Sequence, residues 1–331
     1  MQNLQIKNLE VSPAPHIRGS YSLKKMMWIT AAALLLPASG GIYFFGLRAL
    51  ILIITCSLSA VFFEAACQYL RREKVSVTDG SALITGMILS LIIPTSFPLW
   101  AAVLGTAFSI CVVKQIFGGF GKNIFNPALM GRAFLTAAFP VLITTYTIQS
   151  RDLPAAAAAS ERTAVEAVTQ ATPLGAVKFE DHNYKTDNFV RFFLGAKKGS
   201  MGETSGILIL TGLVILLVTK VADWRLPLSY FFTVFVFSGL LWIVSPERYM
   251  DPVITLVVGG ILLGGTYMVT DPVTTPVTAA GKWIFGGGAG MLTIVIRNWS
   301  GYPEGVMFSI ILMNCVTPLI NRYLRPRSYG A

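Results

Sequence analysis

The string Thr169-Gln170-Ala171-Thr172, followed by Pro173, stands in a polar stretch flanked by long apolar runs. A threonine hydroxyl can carry a phosphoester, which would make Thr172 an attachment point. In a polar loop a Thr-Pro step is otherwise an ordinary turn. A second group of candidates has apolar surroundings. Glu64, Asp79, Arg132 and Asp271 lie within or at the ends of apolar runs, where ionisable groups are costly and mark function by default. Three of them also have a structural reading. Glu64 is near Arg71 and Arg72, which favours pairing or snorkelling. Asp79 before Gly80 and Ser81 resembles a helix N-cap, and Asp271 before Pro272 reads as a turn residue. Asn126 and Asp271 both fall at breaks between runs, where the polar edge of a ligand could be gripped.

Other chemistry is excluded by what these residues lack around them. Cys56, Cys67, Cys111 and Cys315 all lie in apolar runs without a CxxC pair or a histidine cluster, so they read as small buried hydrophobes rather than disulfide or metal ligands. The polar island at 147–203 holds seven acids and seven bases, and His182 is its only histidine. It is not a self-contained enzyme. No iron–sulfur or NAD-binding motif stands out, so a complete redox reaction would need partner subunits.

The elements that position these residues are set by composition. The 331 residues are 54% hydrophobic and 13% charged, against about 25% charged in a soluble domain; the mean hydropathy is +0.64. The formal charge of +10 does not indicate nucleic acid, because the basic residues are scattered between apolar runs. The first 26 residues are polar and show no cleavable signal pattern. About ten membrane spans are predicted, at 26–45, 48–70, 81–94, 98–116, 127–146, 204–222, 226–245, 252–270, 281–297 and 303–321, each near the ~20 residues that cross a bilayer. The fold class is therefore an all-α polytopic membrane protein. A tail (1–25) precedes a five-helix half (26–146); the long loop (147–203) leads to a second half (204–322) and a short tail (323–331).

With the N-terminus inside, inner segments collect fifteen of the 26 basic residues, while Arg48, Arg132, Arg248 and Arg297 are the four on the outer side. The island carries the rest and is long enough to escape the positive-inside rule. Both termini are therefore expected in the cytoplasm and the island outside. Five spans on each side of it make an inverted arrangement natural, with a site between the halves. The segments ending at Pro94–Pro98, Gly118–Pro127 and Thr270–Pro276 are short or irregular, and irregular backbone at membrane depth must be buried in protein or line a cavity. As plain interfacial turns they would carry no such meaning. Lys114-Gln-Ile-Phe-Gly-Gly and Lys282-Trp-Ile-Phe-Gly-Gly echo each other, but one ends a span and the other opens one.

Four motifs in order resemble the RnfD/NqrB family: Asp79-Gly-Ser-Ala-Leu-Ile-Thr-Gly, Ile116-Phe-Gly-Gly-Phe-Gly-Lys-Asn-Ile-Phe-Asn-Pro-Ala, Met268-Val-Thr-Asp-Pro-Val-Thr-Thr-Pro and Gly301-Tyr-Pro-Glu-Gly-Val-Met-Phe. The likeness spans essentially the whole chain, and the length is most like the RnfD member of the Rnf complex. It implies a bacterial inner-membrane subunit of a Na⁺- or H⁺-translocating oxidoreductase linking ferredoxin and NAD, dependent on the other Rnf subunits. It further implies FMN held by a phosphoester on Thr172, attached by a separate flavin transferase. Thr169 and Ala171 match the motif, while Gln170 and Glu166 depart from it. Non-covalent riboflavin is the second implied cofactor, with Asn123, Asn126 and Asp271 as the residues nominated for its polar edges. The ten-span, five-plus-five architecture resembles urea and ammonium channels, so a channel-like transporter without redox chemistry is the competing expectation. Membrane lipid is an expected partner; nucleic acid is not.

Overall fold

A computed structural model of the chain describes residues 22–146, 189–195, 199–302 and 304–325. Among them every regular element is a helix. Ser22 caps α1 (Leu23–Phe45) by accepting from the Lys25 amide. Gly46, at φ 73°, turns the chain in one residue so that α2 (Leu47–Leu70) starts at once. Gly80, not Asp79, is the N-cap of α3 (Ser81–Ile92); Asp79 stands one residue earlier, and its Oδ1 accepts from the Ser81 amide and hydroxyl at 2.8 Å each. Nearly every residue of α3 is buried, because α1, α2 and α5 surround it. α4 (Leu99–Ala107) continues as a π-helix over Phe108–Gln115.

The expected run 127–146 is broken in two. Asn126 caps α5 (Pro127–Ala138), with Pro127 in the first turn where its missing N–H costs nothing. Phe139 leaves helical geometry and α6 (Pro140–Thr144) follows. Of the island, α7 (Phe189–Leu194) packs on the apolar cluster formed by Met250, Ile254, Val257 and Val258. Met201–Glu203 is a buried turn.

In the second half, α8 (Gly206–Val218) and α9 (Arg225–Val244) are continuous, but the run 252–270 is interrupted. Asp251 caps α10 (Pro252–Val257), Gly259 turns at φ 75°, and α11 (Ile261–Leu263) runs into a second π-helix, Gly264–Met268. α12 (Ala279–Trp299) and α13 (Val306–Tyr323) close the chain. Five of these helices, α1, α2, α9, α12 and α13, are long and apolar enough to cross a membrane; α3, α8 and the stretch Leu99–Gln115 are apolar but shorter.

Polarity is distributed as a bilayer requires. Glu64, Lys114, Arg132 and Arg297 are buried, whereas Leu58, Phe62, Phe232 and Ile243 are exposed. Polar contacts also tie helix ends together at two rims. At one rim Trp28 donates to the Thr78 carbonyl, Arg71 to the Gln115 carbonyl, and Lys282 pairs with Asp223. At the other, Arg48 donates to the carbonyls of Thr95 and Phe97. The halves meet through α1 on α8 and α5 on α13.

Helix crossings without a hydrophobic drive need small residues. Gly86 of α3 is the tightest case. A Cβ there would stand 2.5 Å from the Cys56 carbonyl oxygen and 2.7 Å from the Ser57 Cα, both backbone atoms of α2. Gly86→Val is therefore expected to destabilise the protein by about 1–3 kcal/mol or more, read as a lowered thermal midpoint in detergent. An unchanged midpoint would show that α2 and α3 are not packed this closely.

Candidate functional site

Three residues nominated from the sequence come together. Asn123, Asn126 and Asp271 line one narrow cavity between the halves, with about 60 Å³ of free space. Asn126 Nδ2 donates to Asp271 Oδ2 at 3.3 Å, while its Oδ1 caps α5 through the amides of Ala128 and Leu129. Asp271 also accepts from the Val273 amide and the Thr274 hydroxyl, and so serves as the turn residue expected of it. Asn123 donates to the Phe125 carbonyl at 2.9 Å. Much of their hydrogen-bonding capacity thus holds the two irregular loops; the second Nδ2–H of each Asn and the Asn123 Oδ1 are capacity left for a ligand. Thr172, Thr169 and most of the island lie outside the described residues.

The pocket's other walls are mostly apolar, among them Met27, Ile84, Ile88, Phe120 and Leu216. Both π-helices reach it, the first with Lys114 and the second with Tyr267, whose hydroxyl donates to the Ala33 carbonyl at 2.8 Å. Apolar walls interspersed with hydroxyl, amide, carboxylate and ammonium groups suit an organic ligand with an apolar body and polar edges.

Lys114 ties this pocket to a buried charge pair. Its Nζ stands 2.6 Å from Glu64 Oε1 and donates to Ser81 Oγ at 2.6 Å. Gln115 Nε2 donates to the same Glu64 oxygen at 3.1 Å. Glu64 Oε2 takes no hydrogen bond among the described residues. The expected pairing of Glu64 with Arg71 and Arg72 is overturned. Glu64 faces inward to the π-helix, while Arg71 turns outward to the Gln115 carbonyl and Glu73. In the sequence, Lys114 enters as an inner positive charge and as the start of the echoed Lys-x-Ile-Phe-Gly-Gly string, not as a site residue. Its position in an apolar run before the Gly-Gly turn was the available signal.

At the other rim, charged side chains mend the broken helix. Arg297 donates to the carbonyls of Thr255 and Val258, at the end of α10. Glu304 Oε1 accepts from the Gly260 amide at 2.9 Å, just ahead of α11, and Glu304 Oε2 pairs with Arg132 at 2.6 Å. Glu304 stands in the Gly301-Tyr-Pro-Glu-Gly motif, yet nothing local to that motif nominates it. Arg132 has a counter-ion from the second half, a partner that sequence spacing does not reveal. The cysteine expectation holds only in part. All four are free, but only Cys56 is buried, and Cys67 and Cys111 touch, sulfur to sulfur, at 3.2 Å.

A model described as the NQR2, RnfD, RnfE family matches residues 10–330. The chain is 38% identical over 339 residues to the D subunit of the proton-translocating ferredoxin:NAD(+) oxidoreductase complex of Clostridium ljungdahlii, covering 100% of this chain and 99% of that one. It is 38% identical over 324 residues to the Na(+)-translocating counterpart from Acetobacterium woodii, covering 98% and 96%. The D subunit of an ion-translocating oxidoreductase complex of Escherichia coli is 33% identical over 344 residues, covering 97% and 98%.

The buried pair sets a stability test. Lys114→Met strands an ionised or protonated Glu64 in the interior and is expected to cost about 3–5 kcal/mol, whereas Lys114→Met with Glu64→Leu recovers most of that loss. Thermal unfolding of the three proteins in detergent measures it. Additive losses in the double variant would mean the two side chains do not interact.

Proposed function

The chain belongs to the NQR2, RnfD, RnfE family, and on that footing we propose that it is a membrane flavoprotein subunit of an ion-translocating electron-transport complex that links ferredoxin and NAD. Ten crossings in two inverted halves, with both termini in the cytoplasm and the island outside, form the topology of this reading. The observation that carries it is the meeting of Asn123, Asn126 and Asp271 in one apolar-walled cavity between the halves. Full-length likeness to subunits of oxidoreductase complexes favours redox work over a channel-like transporter.

The lining of this pocket, apolar side chains with Asn123, Asn126, Asp271 and Lys114 among them, suits a non-covalent flavin such as riboflavin, which the walls part to admit. When bound, that group supplies the electron-transfer chemistry. The chain's own residues do the rest. Ile84, Ile88, Phe120 and Leu216 keep water from the ring plane, and Asn123 and Asn126 offer N–H donors to polar edges. Lys114 stands between the pocket and Glu64. Lys114 is a cation shared between the pocket lining and Glu64, so an anionic group held in the pocket would compete with Glu64 for it. Which ion is moved, Na⁺ or H⁺, depends on what then balances Glu64.

FMN on Thr172 is the second part of the proposal and rests on the match of Thr169, Ala171 and Thr172 to the family's attachment motif. The peptide Glu166–Lys178, isolated from native membranes, is expected to carry the mass of an FMN phosphoester, and Thr172→Val to abolish in-gel flavin fluorescence after denaturation. A bare peptide mass refutes the attachment.

The pocket is tested separately. Ala222, a buried wall residue in the 219–224 turn, becomes a filler as Ala222→Trp. Acid-extractable flavin is expected to fall about tenfold or more relative to wild type, with covalent fluorescence retained. Full retention of extractable flavin would place the non-covalent site elsewhere.

A further inference from the structure

A second cavity, of about 650 Å³, opens beside the pocket at the same rim. It shares walls such as Val221 and Pro272 with the pocket, but its charge is its own. Lys220, Arg225 and Lys282 line it against a single acid, Asp223. Asp223 accepts from Lys282 at 2.8 Å and pairs with Arg225 at 3.2 Å. Partial burial pushes its carboxyl upward, but the Lys282 hydrogen bond, the Arg225 amide and the two cations outweigh this and hold it below the usual carboxylate range. Asp223 is thus a fixed negative charge, and three cations against it leave two positive charges in excess.

The arrangement is unfavourable without an anion. Arg225 is the first residue of α9 and Lys282 lies in the first turn of α12, the ends of helices where the backbone dipole repels cations. Lys220 is exposed, holds a left-handed backbone at φ 55°, and has no carboxylate partner among the described residues. What flanks the groove is apolar and membrane-like. Trp224 and Trp283 meet edge to face at 6.0 Å, both about half exposed, and exposed Leu228 and Phe232 continue up α9 from the groove. Tryptophan beside Lys and Arg is the composition of the headgroup level of a bilayer, and basic pockets between membrane helices suit anionic headgroups.

We propose that this groove binds the phosphodiester headgroup of an anionic phospholipid. Lys220 and Lys282 hold the phosphate, Trp224 and Trp283 flank the glycerol region, and the acyl chains lie along Leu228 and Phe232. A soluble phosphate would use the cations but leave the apolar stripe without purpose. Because the groove adjoins the pocket through the 219–224 turn, an occupying lipid also braces the pocket wall.

The test titrates the purified complex in detergent with phosphatidylglycerol or phosphatidylcholine, scored by native mass spectrometry. Phosphatidylglycerol is expected to bind tighter, and Lys220→Gln to weaken it about fivefold, with Lys220→Gln/Lys282→Gln roughly thirtyfold, at the strength of a basic side chain near a charged leaflet. Asp223→Asn is expected to tighten it, a sign that general damage to the fold would not give; thermal midpoints of each variant accompany the titration. Equal binding of the two lipids, an unaffected double variant, a loosened Asp223→Asn, or full displacement by millimolar inorganic phosphate overturns the proposal.

Discussion

The fold depends on satisfying backbone groups where helices stop inside an apolar environment. Each helix end leaves N–H and C=O groups without intrahelical partners, and at membrane depth water is not there to take them. This chain interrupts helices several times and supplies a side-chain partner at several of the breaks. Asn126 and Asp251 cap the short helices that follow a proline-bearing start. Arg297 takes the carbonyls at the end of α10, and Glu304 takes the Gly260 amide at the next start. The charges needed for this are then balanced by each other, with Arg132 on Glu304. The buried ions at that rim are thus accounted for by backbone repair before any functional role is invoked.

The same logic shapes the pocket. Asp271 and Asn126 hold two irregular loops from opposite halves against each other, so the cavity between them is a by-product of helices that end early. A pocket assembled this way is rigid at its polar end, because each side chain there is already bonded to backbone. Lys114 differs: its partners are side chains, Glu64 and Ser81. It is therefore the group at this site whose bonds can be exchanged without undoing a loop.

Much of this was legible in the sequence, and the reasons differ by residue. The helical, membrane-embedded class followed from apolar runs and sparse charge. Asn126 and Asp271 were legible because prolines beside them announce breaks, and a polar residue at a break has few other uses. The partner of Glu64 was not legible. Nearness in sequence pointed to Arg71 and Arg72, but the side chain's direction is set by which face of α2 packs on the π-helix, a tertiary fact. Glu304 and Arg132 pair across the two halves, and no local spacing encodes such a contact. Phe139 and Gly259 broke runs that hydropathy alone reads as continuous, because a hydropathy window cannot see backbone angles.

Two helices that reach the pocket, through Lys114 and Tyr267, do so in π geometry. A π turn holds one residue more than an α turn, so each is a single surplus residue stored in a wound segment. If either rewound to ordinary α spacing, the part beyond it would advance by one residue's rise, ~1.5 Å, and turn with it. Such a change of register would move Lys114 or Tyr267 against the cavity without a hinge.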